Sequence, residues 1–330
     1  MPTYAITGSS GYVGTRMTRW LLEASPDNRI IGFDVRPPRV DSDRLEFHTL
    51  DVRDPKIGQV LEGRGVISLL HFAFILDPLY DEKEMRDIDL GGTRNVFEAV
   101  LRAKIGHLVA TSSTTAYGAL PDNPVPLRES DETRAQEGFI YAHDKRLMDQ
   151  MLREFQTQHP EVKVCVIRPC IVLGPNVSNY IAASMLNQPI ATLLDGKDPP
   201  MQFIHEDDLV RLVATCIEQK AQGVYNAVGG GTMTTREAAR LQGKRTLKVP
   251  FGAMYGILWG VRRLKVLGFN MPPGILEFFR NPWVASGEKA TRELGFTSQY
   301  STQQCFEILL SRKTEVLRGF KAQMKARGKR

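Results

Sequence analysis

Short apolar runs alternate with longer segments in which apolar residues recur every three to four positions. The runs are typical of buried strands, and the three-to-four spacing is typical of helices with one apolar face. The pattern predicts strands at residues 4–6, 29–33, 45–50, 66–72, 107–112 and 162–168, and helices at 15–23, at 85–104 and around residue 141. Strands that alternate with helices form a mostly parallel sheet covered on both faces. The predicted fold class is therefore α/β, with a Rossmann-type doubly wound sheet.

A glycine-rich segment joins the first strand to the first helix. It reads Thr7-Gly8-Ser9-Ser10-Gly11-Tyr12-Val13-Gly14, with a glycine at every third position. Glycines allow the backbone to approach a pyrophosphate closely, and a helix N-terminus offers free N–H donors to phosphate oxygens. The segment predicts a dinucleotide site formed by Gly8, Gly11, Tyr12, Val13 and Gly14, and the alternative is an ordinary strand-to-helix turn.

The end of the second strand indicates which dinucleotide is bound. Asp34 follows that strand and lies 20 residues beyond Gly14. A carboxylate at this distance suits the adenosine ribose diol and repels a 2′-phosphate, which favours NAD over NADP. Arg36 keeps NADP open as the alternative.

Three residues in the middle of the chain suggest acid–base chemistry. Tyr141 and Lys145 lie four positions apart, so they share one helix face. An ammonium near a phenol, together with the positive ring of an oxidised nicotinamide, is expected to lower the tyrosine pKa toward neutrality. Ser113 follows a strand at the edge where α/β sheets bind ligands, and it is the candidate to hold the reacting oxygen. A solvated helix face is the alternative.

Composition and charge narrow the class of protein. Hydrophobic residues make up 42% of the 330 residues and charged residues 24%, as in a soluble enzyme with a large core. The four cysteines are scattered, which argues against a metal site and a disulfide framework and favours a cytoplasmic location. The net charge is +6, and residues 312–330 contain eight basic residues and one acidic residue. We interpret this basic tail as a solvated helix end, and no nucleic acid is expected as a partner.

On these motifs the chain resembles the extended short-chain dehydrogenase/reductases, which include the NAD-dependent epimerases and dehydratases. The resemblance implies a catalytic set of Ser113, Tyr141 and Lys145, a small-molecule substrate and a homodimer. It also implies a smaller, C-terminal substrate lobe, with an NAD-binding domain at 1–176 and 203–230, a substrate lobe at 177–202 and 231–311, and the tail at 312–330. Further cofactor contacts are implied for Asp51, Val52, Phe72, Ala73, Phe74, Asp89, Thr111, Pro169 and Ile171, besides Asp34, Arg36, Tyr141 and Lys145.

The chain departs from the UDP-glucose 4-epimerases that it otherwise resembles. Asp89 replaces the usual asparagine, so the proton path is expected to differ. Met201, followed by Gln202, stands where an arginine binds the nucleotide diphosphate in those epimerases, and a thioether cannot pair with a diphosphate. The candidate substrate residues are Ser113, Thr114, Met201 and Arg280, of which Arg280 could still hold an anionic group.

Residues 251–279 are rich in methionine, leucine, isoleucine, tryptophan and phenylalanine. Arg262, Arg263 and Lys265 interrupt the segment, so it cannot span a bilayer. We interpret it as a buried helix that caps the substrate lobe. The less favoured alternative is an apolar substrate pocket or a patch that rests on a membrane.

Three functional hypotheses follow. The first is an NAD-dependent oxidoreductase acting on a secondary alcohol or its ketone. The second is a nucleotide-sugar 4-epimerase, which uses the same site if the ketone turns over before hydride returns. The third is a non-catalytic regulatory protein that binds NAD. A dehydratase is disfavoured because Thr114 and Thr115 supply neither the acid nor the base that such enzymes place beside the serine.

Overall fold

A computed structural model describes residues 1–264 and 270–327, with side chains described as far as residue 322. Lys265 and residues 328–330 of the predicted basic tail lie outside the described residues. The strands are β1 (Thr3–Thr7), β2 (Arg29–Asp34), β3 (Leu45–Thr49), β4 (Val66–His71), β5 (His107–Thr111), β6 (Lys163–Pro169), β7 (Ile171–Leu173), β8 (Ala191–Leu194), β9 (Phe203–His205), β10 (Gly223–Ala227) and β11 (Thr246–Val249). The helices are α1 (Tyr12–Ala24), α2 (Lys56–Leu61), α3 (Glu82–Arg86), α4 (Gly92–Arg102), α5 (Ile140–Gln158), α6 (Tyr180–Asn187), α7 (Glu206–Glu218), α8 (Thr235–Leu241), α9 (Phe251–Arg263), α10 (Glu288–Leu294), α11 (Thr302–Ser311) and α12 (Lys313–Arg327).

Seven strands form one parallel sheet in the order β3-β2-β1-β4-β5-β6-β10. The strand order reverses between β1 and β4, and ligands of such sheets bind beyond the carboxyl ends of the strands at this switch point. The predicted Rossmann-type fold is confirmed, and the six strands predicted from the apolar runs end within one residue of those observed.

Two apolar layers cover the sheet. On one face Met17 and Leu21 of α1 pack with Leu209 and Val213 of α7. The opposite face is covered by α4 and α5, whose buried residues recur every three to four positions. Burying an aliphatic side chain contributes about 1.5–3 kcal/mol, so these two layers supply most of the stabilisation that fixes the helices on the sheet.

Two small sheets lie outside the central one. β7 pairs with β9, and β8 pairs with β11, in parallel in both cases. α12 packs against α6 and buries Val316, so the start of the predicted basic tail is a packed helix rather than a solvated end. Within the described residues, no helix combines the length and the apolarity that a bilayer crossing requires.

Two predicted helices differ from those observed. The first begins at Tyr12 rather than Thr15, directly after Gly11, because the last residues of the glycine segment already form its first turn. The helix predicted at 85–104 is divided into α3, a π-helical segment at Asp87–Gly91, and α4. A π segment inserts an extra residue into the turn and shifts the faces on either side of it, which the regular spacing of apolar residues did not reveal.

The prediction that the 251–279 segment contains a buried capping helix is wrong. No residue of α9 is buried, and the side chain of Trp259 is 58% exposed. The buried part of the segment is instead the short 3-10 helix Pro273–Phe279, in which Pro273, Ile275 and Leu276 are buried. Apolar composition predicted burial here, but the rest of the described chain does not cover the outer face of α9.

Candidate active site

The glycine segment forms a tight turn at the carboxyl end of β1. Gly8 has φ +73°, and a Cβ atom there would lie 2.6 Å from the Ala73 nitrogen. A Cβ on Gly14 would lie 2.1 Å from the Gly8 carbonyl oxygen. Gly11 donates its N–H to that same oxygen over 2.9 Å and begins α1 without any side-chain cap. The turn therefore requires glycine, and the first N–H groups of α1 are not capped by a side chain, as a phosphate site requires.

Asp34 ends β2 beside this turn, and its side chain is 5% exposed. The carboxylate accepts the Ser10 N–H over 3.1 Å and the Arg36 N–H over 3.0 Å. The Arg36 guanidinium also donates to it over 3.2 Å. The two residues predicted to distinguish NAD from NADP thus form one ion pair with each other.

We predict that Asp34→Ala narrows or reverses a preference for NAD over NADP. The change removes the charge that repels a 2′-phosphate and releases Arg36 to bind one. Calorimetric titration of both dinucleotides measures the ratio of affinities, with Asp43→Ala, an exposed aspartate on the following loop, as the matched control. Tighter binding of NADP than of NAD by the unmodified protein would contradict the prediction.

The other residues expected at the adenosine end lie close together. The guanidinium of Arg53 binds Asp51, with nitrogen–oxygen distances of 2.9 and 2.8 Å, and this hydrogen bonding lowers the pKa of the carboxyl. The carbonyl of Val52 accepts the Asn95 amide over 2.8 Å. A Cβ on Gly92 would lie 2.4 Å from Val52, so a glycine is needed where α4 meets this loop.

The segment after β4 connects the glycine turn to the catalytic candidates. Phe72 donates its N–H to the Thr7 carbonyl over 3.1 Å, and Ala73 lies against Gly8. The Nζ atom of Lys145 lies 3.5 Å from the centre of the Phe74 ring. Phe72, Ala73 and Phe74 therefore run from the predicted phosphate site to the predicted catalytic lysine.

The structure brings Ser113, Tyr141 and Lys145 together at the carboxyl edge of the sheet. Lys145 donates from Nζ to the Thr111 carbonyl over 2.6 Å. The Ser113 hydroxyl donates to the Pro169 carbonyl over 3.4 Å and accepts the Thr115 hydroxyl over 2.9 Å. These contacts fix both groups against the ends of β5 and β6.

Burial decides the pKa values of this set. It raises the pKa of Tyr141 to about 12, and the interaction of the phenol with the Ser113 hydroxyl partly opposes that rise. Burial also lowers the pKa of Lys145, because the ammonium loses its hydration. The predicted lowering of the tyrosine pKa involves bound NAD and stays a prediction. In the protein alone, the Lys145 Nζ atom lies 6.0 Å from the centre of the tyrosine ring, and burial raises the pKa of the phenol.

Comparison with known proteins identifies the family. A model of the "NAD dependent epimerase/dehydratase family" matches residues 4–228, which include the glycine turn and the three catalytic candidates. The chain belongs to this family. The match confirms the resemblance inferred from the motifs and, at the level of the family, NAD as the cofactor.

Individual relatives of this epimerase/dehydratase family member are distant. An uncharacterised protein of Mycobacterium tuberculosis is 22% identical over 316 residues, 92% of this chain and 81% of the relative. The N-acetyl-alpha-D-glucosaminyl-diphospho-ditrans,octacis-undecaprenol 4-epimerase of Escherichia coli O157:H7 is 30% identical over 177 residues, 51% of this chain and 48% of that enzyme. The structure of dTDP-glucose 4,6-dehydratase from Bacillus anthracis in complex with NAD superposes with a TM-score of 0.74 at 16% identity, over 98% of this chain and 99% of that one. This last likeness shows the fold.

The remaining cofactor candidates lie around the same edge. Tyr12 begins α1 and donates its hydroxyl to Glu206. Val13 follows it and packs at the margin of the first apolar layer. Pro169 accepts hydrogen bonds from Ser113 and Thr114 over 3.4 Å, and Ile171 begins β7 just beyond it.

Asp89, the departure from the family motif, is fully buried in the π-helical segment. Its Oδ1 atom accepts the Ile75 N–H over 2.8 Å, and its Oδ2 atom has no hydrogen-bond partner among the described residues. Burial raises the pKa of this carboxyl, while nearby Lys145 opposes the rise. The side chain is thus disposed to keep its proton near the predicted catalytic lysine.

We predict that the free energy of unfolding falls less with rising pH in Asp89→Asn than in the unmodified protein. The raised pKa means that the folded state keeps a proton which the unfolded state loses above about pH 4, so the stability due to this proton is lost as pH rises through the folded value. Asparagine cannot titrate and can still accept the Ile75 N–H. Urea unfolding between about pH 4 and about pH 8 measures the difference in stability between the two proteins. Asp87→Asn, which alters an exposed carboxyl of the same segment, is the control. Parallel pH curves for the unmodified protein and Asp89→Asn would contradict it.

Of the three substrate residues predicted outside the catalytic set, Thr114 lies beside Ser113 at the Pro169 carbonyl, whereas Met201 and Arg280 are engaged elsewhere. Met201 forms a two-way backbone hydrogen-bonded pair with Met233, at 2.7 and 3.0 Å. Arg280 pairs with Asp195 over 3.3 Å, and its guanidinium lies 4.6 Å from the centre of the Phe251 ring. The structure does not bring either of them into contact with Tyr141.

Sequence reasoning missed two sets of residues at this site. The first is a buried network in which Asp149 of α5 holds Arg168 through two contacts of 2.7 and 2.8 Å, and Arg168 donates to Tyr117. Asp149 lies four residues after Lys145, so the helical spacing was a usable signal. The second is an apolar cluster of Phe139, Ile275 and Phe278, against which Tyr141 packs. It joins residues far apart in the chain, which local patterns do not reveal.

Proposed function

We propose that the protein is an NAD-dependent oxidoreductase that interconverts a secondary alcohol and its ketone. The observation that carries the proposal is the shared position of Ser113, Tyr141 and Lys145 at the switch-point edge, beside the glycine turn and the Phe74 ring. A protein that only sensed NAD would have no physical need to bury these three groups together.

The residues divide the chemistry as follows. As the phenolate, Tyr141 takes the hydroxyl proton of the alcohol, and as the phenol it returns a proton to the ketone oxygen, while Ser113 holds that oxygen. Lys145 is anchored by the Thr111 carbonyl and would hold the ribose of the cofactor. NAD, when bound, supplies the acceptor for the hydride. A 4-epimerase would use the same groups, and the half-length match to the E. coli epimerase favours it as the second candidate.

The surroundings of Tyr141 favour an apolar substrate. The ring lies 5.8 Å from Phe74 and 5.8 Å from Phe139, centre to centre, and Phe139 lies 5.4 Å from Phe278. The partly buried Met271 and Tyr180 border the same cluster. Such a wall stabilises hydrocarbon and offers few partners to a sugar.

The proposal is tested by a screen for NADH formation. UDP-sugars and apolar secondary alcohols are added separately to the protein with NAD, and the absorbance of NADH is followed. We expect reduction with one or more apolar alcohols and none in Ser113→Ala. If neither class reduces NAD, and neither matched ketone oxidises NADH, the oxidoreductase proposal is wrong.

We predict that UDP-glucose and UDP-galactose bind poorly. Met201 offers a thioether, and the Gln202 amide is occupied by both backbone groups of Ala285 at 3.2 and 3.0 Å. Arg280, the remaining candidate, is paired with Asp195. Burying a diphosphate without a guanidinium partner costs several kcal/mol.

Calorimetry with the NAD-loaded protein measures this binding. Arg280→Ala is the diagnostic variant, and Arg236→Ala, which removes an arginine paired with Asp198, is its control. Tight UDP-sugar binding that is lost only in Arg280→Ala would contradict the prediction and restore the nucleotide-sugar epimerase.

A further inference from the structure

Helix α9 presents an apolar face that the described chain does not cover. α1 and α7 have the same length of 13 residues, and each buries at least five of them, whereas α9 buries none. Its outward positions are Gly252, Ala253, Tyr255, Gly256, Ile257, Trp259 and Arg263. The exposed fractions of Tyr255, Ile257 and Trp259 are 41%, 57% and 58%. Tyr255 and Trp259 lie one turn apart on one flank of this face, and Ile257 lies on the other flank, about 160° away around the helix axis. Exposed apolar side chains on a helix that the described chain leaves uncovered mark a site of interaction.

Both ends of α9 are held in place, so its outer face has a defined orientation. At the start, Phe251 donates its N–H to Asp195 over 2.9 Å. Near the end, Arg262 donates to Asn270 over 3.1 Å and pairs with Glu82. The inner face packs on the 3-10 helix Pro273–Phe279, which contributes Ile275 and Phe278 to the cluster around Tyr141. The helix is thus a fixed element one layer away from the candidate active site.

The acidic residues that contact α9, Asp195 and Glu82, are paired with Arg280 and Arg262, so the charge left near this face is positive. Between Glu237 and Glu277 the chain contains no acidic residue, while seven arginines and lysines occur there. Three basic residues are exposed: Arg245 just before the strand β11 that leads into α9, Lys248 on that strand, and Arg263 on the outer face of α9. Leu247, between the first two, is 54% exposed. A helix with exposed aromatic side chains and exposed basic residues outside those two ion pairs complements a lipid surface with negative headgroups.

We propose that α9 docks this protein on the surface of membranes that contain anionic phospholipids. Tyr255 and Trp259 on one flank of the helix, and Ile257 on the other, insert at the level of the headgroups, where aromatic rings with a polar edge are favoured. Arg263, Arg245 and Lys248 attract the headgroup charge. Thirteen residues are too few to span a bilayer, so the helix lies in the plane of the interface. The docking does not depend on the reaction proposed above.

The test uses the full chain and vesicles, with no substrate. The protein is sedimented with vesicles of phosphatidylcholine alone and with vesicles that also contain phosphatidylglycerol. We expect binding to the second kind only, weakened by added salt. The variant Ile257→Glu/Trp259→Glu should bind at least about tenfold more weakly, and Arg263→Glu about fivefold more weakly. The matched control, Leu101→Glu/Val125→Glu, alters two exposed apolar residues outside the substrate lobe and should bind normally.

A second measurement guards against misfolded variants. Of the three tryptophans, Trp259 is exposed, Trp20 is partly buried and Trp283 is buried, so the tryptophan emission should shift to shorter wavelength when phosphatidylglycerol vesicles are added. That shift should be absent in the milder variant Trp259→Phe. The proposal is overturned if the unmodified protein does not sediment with anionic vesicles. It is also overturned if the α9 and control variants bind alike, or if size exclusion shows a dimer that Ile257→Glu/Trp259→Glu converts to monomers without any vesicle binding.

Discussion

Replacing Tyr141 with phenylalanine should lower turnover by about a hundredfold to ten-thousandfold, the range expected for losing a general acid–base group. The phenol is the titratable group that the structure places beside Ser113, and burial already holds its pKa at about 12. Phenylalanine keeps the ring contacts with Phe74 and Phe139, so the fold and the affinity for NAD should change little. Turnover is measured with a verified alcohol, and NAD affinity by calorimetry.

Tyr225→Phe provides the control for this experiment. Tyr225 is also a buried tyrosine with a hydrogen-bonded hydroxyl, but its partners are Glu293 and the Gln222 carbonyl on the far side of β10. Its loss should leave turnover near normal. Turnover by Tyr141→Phe close to that of the unmodified protein would show that another group moves the proton.

Replacing Asp149 with alanine should lower the free energy of unfolding by about 3–5 kcal/mol, the cost of leaving a buried ionic partner unpaired. Arg168 is fully buried and loses both of its carboxylate contacts in this variant. The same ion pair fixes α5 on β6, so activity should fall together with stability. Urea unfolding measures the change, because the midpoint reports stability when the slope is unaltered.

Glu62→Ala is the matched control, since Glu62 pairs with Arg102 where both side chains are about half exposed. Exposed pairs contribute little, so its unfolding midpoint should barely move. If Asp149→Ala unfolds at the same urea concentration as Glu62→Ala, the buried pair does not stabilise the fold as argued. Asp149→Asn, which keeps the shape, separates the effect of charge from that of packing.

The features that the sequence predicted correctly are those encoded by neighbouring residues. A short apolar run defines a strand wherever it lies, and the strand ends were placed within one residue. The glycine segment requires glycine within its own turn, where a Cβ on Gly14 would meet the Gly8 carbonyl oxygen. It also requires glycine where Ala73 lies against Gly8. The spacing of Tyr141 and Lys145 placed them on one helix face before any tertiary contact was known.

The features that the sequence did not predict depend on residues far apart in the chain. Nothing near Arg280 indicates that Asp195 pairs with it, and nothing near Tyr141 indicates the burial that raises its pKa. Apolar composition predicted a buried α9, yet burial requires a partner surface, and the described chain packs only against its inner side. The amino-acid sequence by itself therefore determined the first six strands, the glycine turn and the identity of the catalytic candidates. Only the tertiary structure decided pairing, pKa and exposure, because desolvation and charge–charge contacts depend on which distant segments the topology brings together.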